Sequence, residues 1–166
     1  MTNEAIKEYI SSLNPDASFD ETGEWLNIIV ESNQLKSLAT SLKGQPMQFD
    51  FLFCLTCVDY KTHMTMVYHL TSSKDRTINI VIKANVDRTT PAIETVCDIW
   101  RTAEFHEREV FEMFGVQFLN HPDLRRLILE EEAMIAVDEK NEAVHETKGY
   151  WPLRKDFEDP INMIKL

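Results

Sequence analysis

The residues best able to do chemistry in this chain crowd into one stretch, Trp100 to Leu129. Glu107, Arg108 and Glu109 stand in a row there, and His121, Asp123, Arg125 and Arg126 follow beyond Gly115. A second charged cluster comes later, at Arg154, Lys155 and Asp156. Two kinds of chemistry are open to such a set. Carboxylates and imidazoles can hold a metal ion, and acids and bases can grip another chain. His106-Glu107 begins like the helical zinc-protease pattern, in which two histidines one turn apart share a face. The position of the second histidine is Val110, so that ligand pair is not made. A free-standing metal-dependent enzyme built on His106, Glu107 and His121 is the rival reading.

The remaining candidates for chemistry are weaker. Cys54-Leu-Thr-Cys57 is a CxxC, yet zinc and iron–sulfur sites normally take four ligands and only Cys97 is left as a third thiol. Positions three apart on a strand point to opposite faces, which suits two small buried hydrophobes better than a ligand pair. Four scattered glycines form no phosphate-binding loop, and Ser, Cys and His assemble into no nucleophile motif. No catalytic, cofactor-binding or metal-binding residue is therefore expected in this chain.

Gripping chemistry fares better. The spacing predicts a helix over about Ala103 to Phe114, ended by Gly115 in the left-handed conformation. Its apolar arc holds Ala103, Val110, Phe111, Met113 and Phe114. Glu107 falls inside that arc, so its carboxylate should be buried and in need of a cation or hydrogen bonds, with Arg125 or Arg154 as possible partners. Glu104, Arg108 and Glu112 are spaced four apart and read as the polar side. Phe105 lies on that side too, where an aromatic suggests contact with something else. Aromatic, proline, leucine and then bases recur at His121 to Arg126 and at Tyr150 to Phe157, an interface composition in an acidic chain.

The elements that must position these residues read as follows. Thr2 or Asn3 caps a first helix with Ile6 and Ile10 inward, and Trp25 to Val30 is a short strand. Ser32 is expected to cap a second helix ending at Gly44. Phe49 to Tyr60, His63 to Thr71 and Thr77 to Ala84 read as strands whose short connections imply antiparallel hairpins. Thr90-Pro91 is expected to open a third helix carrying Ile93, Val96, Cys97 and Trp100, broken before Ala103. Periodicity fails from Val116, and residues 133–147 form a short helix or hairpin at most. The expectation is an α+β fold, a mostly antiparallel sheet covered by helices and followed by an extended C-terminal tail. Residues 1–115 form the globular domain and 116–166 a partner-binding tail. Truncation near Val116 should then leave a folded domain.

Composition narrows the setting. The 166 residues suffice for one core. A net charge of −11 argues against nucleic acid or an anionic membrane surface as partner. No apolar run approaches the roughly 20 residues that span a bilayer, so direct membrane insertion is not expected. The first residues lack the apolar core of a signal peptide, and three cysteines fit a reducing compartment.

Glu107-Arg108-Glu109, Glu112, Gly115, Phe118, His121-Pro-Asp-Leu-Arg125-Arg126 and Pro152-Leu-Arg-Lys-Asp156 resemble the respiratory complex I 30 kDa subunit family. Leu55-Thr56, Val58-Asp59-Tyr60 and Val67-Tyr68-His69-Leu70 resemble its upstream sheet. The likeness spans roughly residues 49 to 157. This chain departs from the pattern at Glu112, Asn120 and Tyr150-Trp151, and its segment between the two motifs is longer. The resemblance implies a cofactor-free structural subunit in the hydrophilic arm of an NADH:quinone oxidoreductase. NADH, quinone, FMN and iron–sulfur clusters would belong to partner subunits. The tail would dock on the 49 kDa-like quinone-site subunit, at the cytoplasmic side of the inner membrane. The motif residues Glu107, Arg108, Glu109, His121, Asp123, Arg125, Arg126, Arg154, Lys155 and Asp156 would serve that contact. The same resemblance extends to membrane-bound hydrogenases and to complexes fed by other donors.

Overall fold

A computed structural model describes residues 2–129 and 151–157. Helix α1 (Asn3–Leu13) starts at Thr2, whose hydroxyl accepts the Ala5 N–H, and buries Ile6 and Ile10. Strands β1 (Ser18–Asp20), β2 (Leu26–Glu31), β3 (Phe51–Asp59), β4 (His63–Thr71) and β5 (Asn79–Asp87) form a single sheet in the order β1-β2-β5-β4-β3. Antiparallel pairing dominates, as expected, but β2 and β5 run parallel at its centre. Alternation puts Ile28, Ile80, Ile82, Met66, Tyr68 and Leu70 into one core with α1 and with α2 (Leu35–Lys43), which contributes Leu35, Leu38, Ala39 and Leu42. Ser32 does not cap α2. It opens a separate 3-10 turn, Ser32–Gln34, and the helix begins without a side-chain cap.

The expected third helix after Pro91 is absent. Ala92–Glu94 is strand β6, paired in parallel with β7 (Gln117–Leu119), Ile93 lying opposite Phe118. Its apolar spacing resembled a helix because Ile93, Val96 and Trp100 are all buried, but a strand followed by a turn buries them equally well. The deciding partner lies some two dozen residues downstream. The next helix, α3 (Ala103–Phe114), has the expected bounds and ends at Gly115 with φ of +75°. It packs chiefly against the edge strand β3, and Thr102 Oγ1 and Trp100 Nε1 donate to the β3-side carbonyls of Leu52 and Phe49.

The expectation that the chain builds no core beyond Val116 also needs correction. Val116 is fully buried and Phe118 nearly so. Residues 120–129 then return along α3, and 151–157 pack at its C-terminal end. Expectations for residues 130–150, including a short helix or hairpin at 133–147, lie outside the described residues.

Gly115 is required twice over. Its φ is left-handed, and a Cβ there would lie 2.2 Å from the Trp151 ring. Gly115→Ala is expected to lower stability by about 3 kcal/mol, from left-handed strain of roughly 1–2 kcal/mol plus the displaced indole. Thermal melting reads the loss, and Trp151 should become more exposed to a fluorescence quencher.

Candidate partner-docking site

One face of α3 carries Phe105, Arg108 and Glu112, spaced three and four apart. Sequence placed Arg108 and Glu112 on a polar, solvated side, yet both are buried, Glu112 completely. The chain segment 121–129 covers them, and it is held by its main chain. Arg108 donates through Nε to the Arg125 carbonyl (3.0 Å) and through Nη2 to the Arg126 carbonyl (3.3 Å). The Glu112 carboxylate accepts the N–H groups of Leu127 (3.2 Å), Ile128 (2.9 Å) and Leu129 (2.6 Å). Bonds to an ionised carboxylate are among the stronger hydrogen bonds a protein makes. Because the grip is on the backbone, the strap's side chains stay free. Ile128 is 62% exposed, Leu127 41% and Phe105 59%, and the Arg125 side chain is 73% exposed beside Asp123. Arg108 lies under this surface, 5.7 Å from the Phe105 ring centroid.

A second hold fastens residues 151–157. Arg154 stacks on Trp151 at 3.8 Å and donates from Nε to the Phe114 carbonyl (2.7 Å), covering the carbonyl end of α3. The Leu153 N–H reaches the Met113 carbonyl. The Lys155 N–H donates to Asp59 (2.9 Å), which also takes both nitrogens of an Arg88 fork at 2.9 and 3.0 Å. Asp156 meets Arg88 from the other side at 2.6 Å. Asp59 and Arg88 escaped the sequence reading of the site; the available signal was an acid closing a nearly unbroken apolar run. The Arg88 bonds hold the buried Asp59 carboxyl well below the usual carboxylate range. Its stabilisation is present above the ordinary carboxylate pKa and is lost as pH falls through the depressed folded value. Asp59→Asn should therefore cost about 3 kcal/mol at neutral pH, the usual penalty for stranding one partner of a buried pair. It should also flatten the acid limb of a stability–pH profile measured by denaturant unfolding.

The other predicted residues divide. Glu107 is fully buried as expected, but no arginine meets it among the described residues. It takes the Thr95 hydroxyl and the Val96 N–H (2.8 Å), and burial pushes its carboxyl up to about 7 against the pull of those two bonds. Glu109 is exposed and takes no part in the strap contacts; it lines a groove beside Cys54, whose thiol is pushed up by burial and then by Glu109. His121 is brought to Glu107, while His106 lines that other groove. Arg126 gives its carbonyl to Arg108 and is otherwise half-buried.

Cys97, Glu107 and His121 place their donor atoms within 4.8 Å of one another, so the metal question returns with Cys97 in place of His106. The histidine answers it. Nδ1 accepts the Asp123 N–H at 3.0 Å, which leaves the ring proton on Nε2, facing the Glu104 carbonyl at 3.1 Å. A metal-bound imidazole offers a bare nitrogen to the ion and donates from the other. Here the nitrogen facing Glu107 carries the hydrogen, so these residues do not fit a metal as they stand. Among the described residues, no helix is long and apolar enough to cross a membrane.

Residues 28–160 match the family described as "Respiratory-chain NADH dehydrogenase, 30 Kd subunit". The chain is 34% identical over 131 residues to the C subunit of the F(420)H(2) dehydrogenase of Methanosarcina mazei, covering 78% of this chain and 73% of that protein. It is 35% identical over 123 residues to the fused C/D subunit of the NADH-quinone oxidoreductase of Phocaeicola vulgatus, covering 74% of this chain but 21% of that longer protein. Among solved structures, a trypsin-resistant fragment of Nqo5 superposes with a TM-score of 0.65 at 29% identity, covering 75% of this chain and all of the fragment.

Proposed function

This chain belongs to the 30 kDa subunit family of respiratory-chain NADH dehydrogenases, and on that premise we propose that it is a cofactor-free docking subunit. In this reading it sits in the hydrophilic arm of an NADH:quinone oxidoreductase, on the cytoplasmic side of the membrane. It seats its strap on the 49 kDa-like quinone-site subunit. The redox groups then reside in partner subunits.

The observation that carries this reading is the main-chain grip of Arg108 and Glu112. A strap held only by its backbone displays Arg125, Leu127 and Ile128 with Phe105 as an apolar ridge with a basic end, the composition of an interface centre. Large apolar side chains clustered on an otherwise acidic surface call for a partner. The Phocaeicola relative supports the choice of neighbour, since its name joins the C and D subunits in one protein.

The test is recovery of the tagged full-length chain from its own cells under mild detergent, with mass spectrometry of what accompanies it. A quinone-site subunit together with an iron–sulfur flavoprotein is the expected outcome. A nickel–iron subunit would assign the complex to the membrane-bound hydrogenases instead, and recovery of the chain alone would refute docking. The relative from Methanosarcina makes a third donor class a real outcome, in which the quinone-site subunit appears without the NADH-oxidising flavoprotein.

A further inference from the structure

Three elements converge on Glu107, and none brings it an ion-pairing lysine or arginine among the described residues. From the loop after β6, Thr95 Oγ1 and the Val96 N–H donate to its two oxygens. Cys97 in the same loop lies within the cluster. Asp98 follows it, paired with Lys36 of α2, whose ammonium also binds the Thr95 carbonyl. From β4, Tyr68 feels the Glu107 charge, and its hydroxyl is buried with no hydrogen-bond partner among the described residues. From the root of the strap comes His121, its side chain fully buried. The His121 Nε2 is 3.1 Å from the Glu104 carbonyl and 3.9 Å from Glu107 Oε2. A movement of roughly 1 Å exchanges one acceptor for the other.

We propose that Glu107 and His121 form a two-position latch at the root of the strap. With Glu107 protonated, the His121 Nε2–H rests on the Glu104 carbonyl. When Glu107 ionises, that N–H transfers its hydrogen bond to the carboxylate and shifts the turn from which the strap departs. The step loses one proton from Glu107 and breaks no other covalent bond in the chain. A cleft lined by Cys97, Thr95, Asp98, Glu104 and Pro122 opens beside the cluster and gives the proton a route to water. The driving force is the cost of a buried carboxylate with no cation against it, which a donated N–H from His121 reduces. Asp123 moves with the ring, because its N–H is bonded to Nδ1. That amide begins the segment that leads to Arg125 and Ile128.

The latch is a property of the free chain and stands or falls separately from the docking role. It is tested by NMR on the full-length protein, following the Glu107 carboxyl carbon, the His121 Nε2–H and the Asp123 amide between about pH 5 and about pH 9. All three signals are expected to move together with one midpoint near 7. In Glu107→Gln, the His121 and Asp123 signals should lose that titration. Thr95→Val keeps the acid but removes a bond that favours its ionised form, so the common midpoint should rise by about half a pH unit or more. If the His121 and Asp123 signals stay flat while Glu107 titrates, or keep the same titration in Glu107→Gln, the latch is wrong. An unmoved midpoint in Thr95→Val would overturn it as well.

Discussion

Glu112→Ala should release the strap and lower stability by about 4 kcal/mol, while α3 and the sheet keep their structure. The carboxylate is fully buried and accepts three consecutive backbone N–H groups, at Leu127, Ile128 and Leu129. Hydrogen bonds to a charged group contribute about 1.5–3 kcal/mol each, and three on one side chain share strain and are not additive. Part of the loss is recovered when the freed amides reach water. Arg108 would still hold the carbonyls of Arg125 and Arg126, but two bonds at 3.0 and 3.3 Å cannot keep 127–129 in place. The check is limited trypsin digestion followed by mass spectrometry, paired with a thermal melt. The wild-type chain should resist cleavage after Arg125 and Arg126, and the variant should be cut there first. Glu112→Gln should fall between the two, since its amide offers a single acceptor oxygen to three donors.

Ending the chain at Gly115 should prevent folding altogether, the opposite of what sequence alone suggested. Such a truncation removes Val116 and Phe118 from the core and leaves Ile93 without the strand that pairs with it. Burying a large apolar side chain contributes about 1.5–3 kcal/mol, so these losses with the Trp151 seat on Gly115 sum to roughly 5–10 kcal/mol. A whole domain of this size has only about 5–15 kcal/mol in hand. Circular dichroism and amide NMR should show an unfolded or molten chain. A truncation after Leu129 keeps β7 and the strap and should retain a cooperative melt.

How the sequence was legible follows from where each element finds its partners. Helices α1 and α3 were readable, with the left-handed Gly115 stop, because apolar period and caps are local signals. So were the β3–β4 and β4–β5 hairpins, which short connections dictate. Strand β6 was misread because its identity is settled by Phe118, distant in sequence, while its own spacing suits a helix. The burial of Glu107 was foreseen from its place in an apolar arc. Its partners were not: an arginine was the natural guess for a buried acid, but Thr95 and Val96 satisfy it, and the acid stays protonated near neutrality instead. Arg108 and Glu112 were taken for a solvated ladder because nothing in a helical wheel announces that another part of the chain will cover one face. The same blindness hid Asp59 and Arg88, whose role appears only once residues 155 and 156 are packed beside them.

The central claim is that the strap's outward side chains, and not its backbone, make the contact with a partner. Leu127→Asp combined with Ile128→Asp tests it most directly, because neither side chain takes part in the grip on α3. The doubly substituted, tagged chain should melt within about 1 °C of wild type, as expected for exposed positions. Yet it should recover less than about a tenth of the quinone-site subunit that the wild-type chain recovers from its own cells. Equal recovery of that subunit by a variant of unchanged stability would contradict the account.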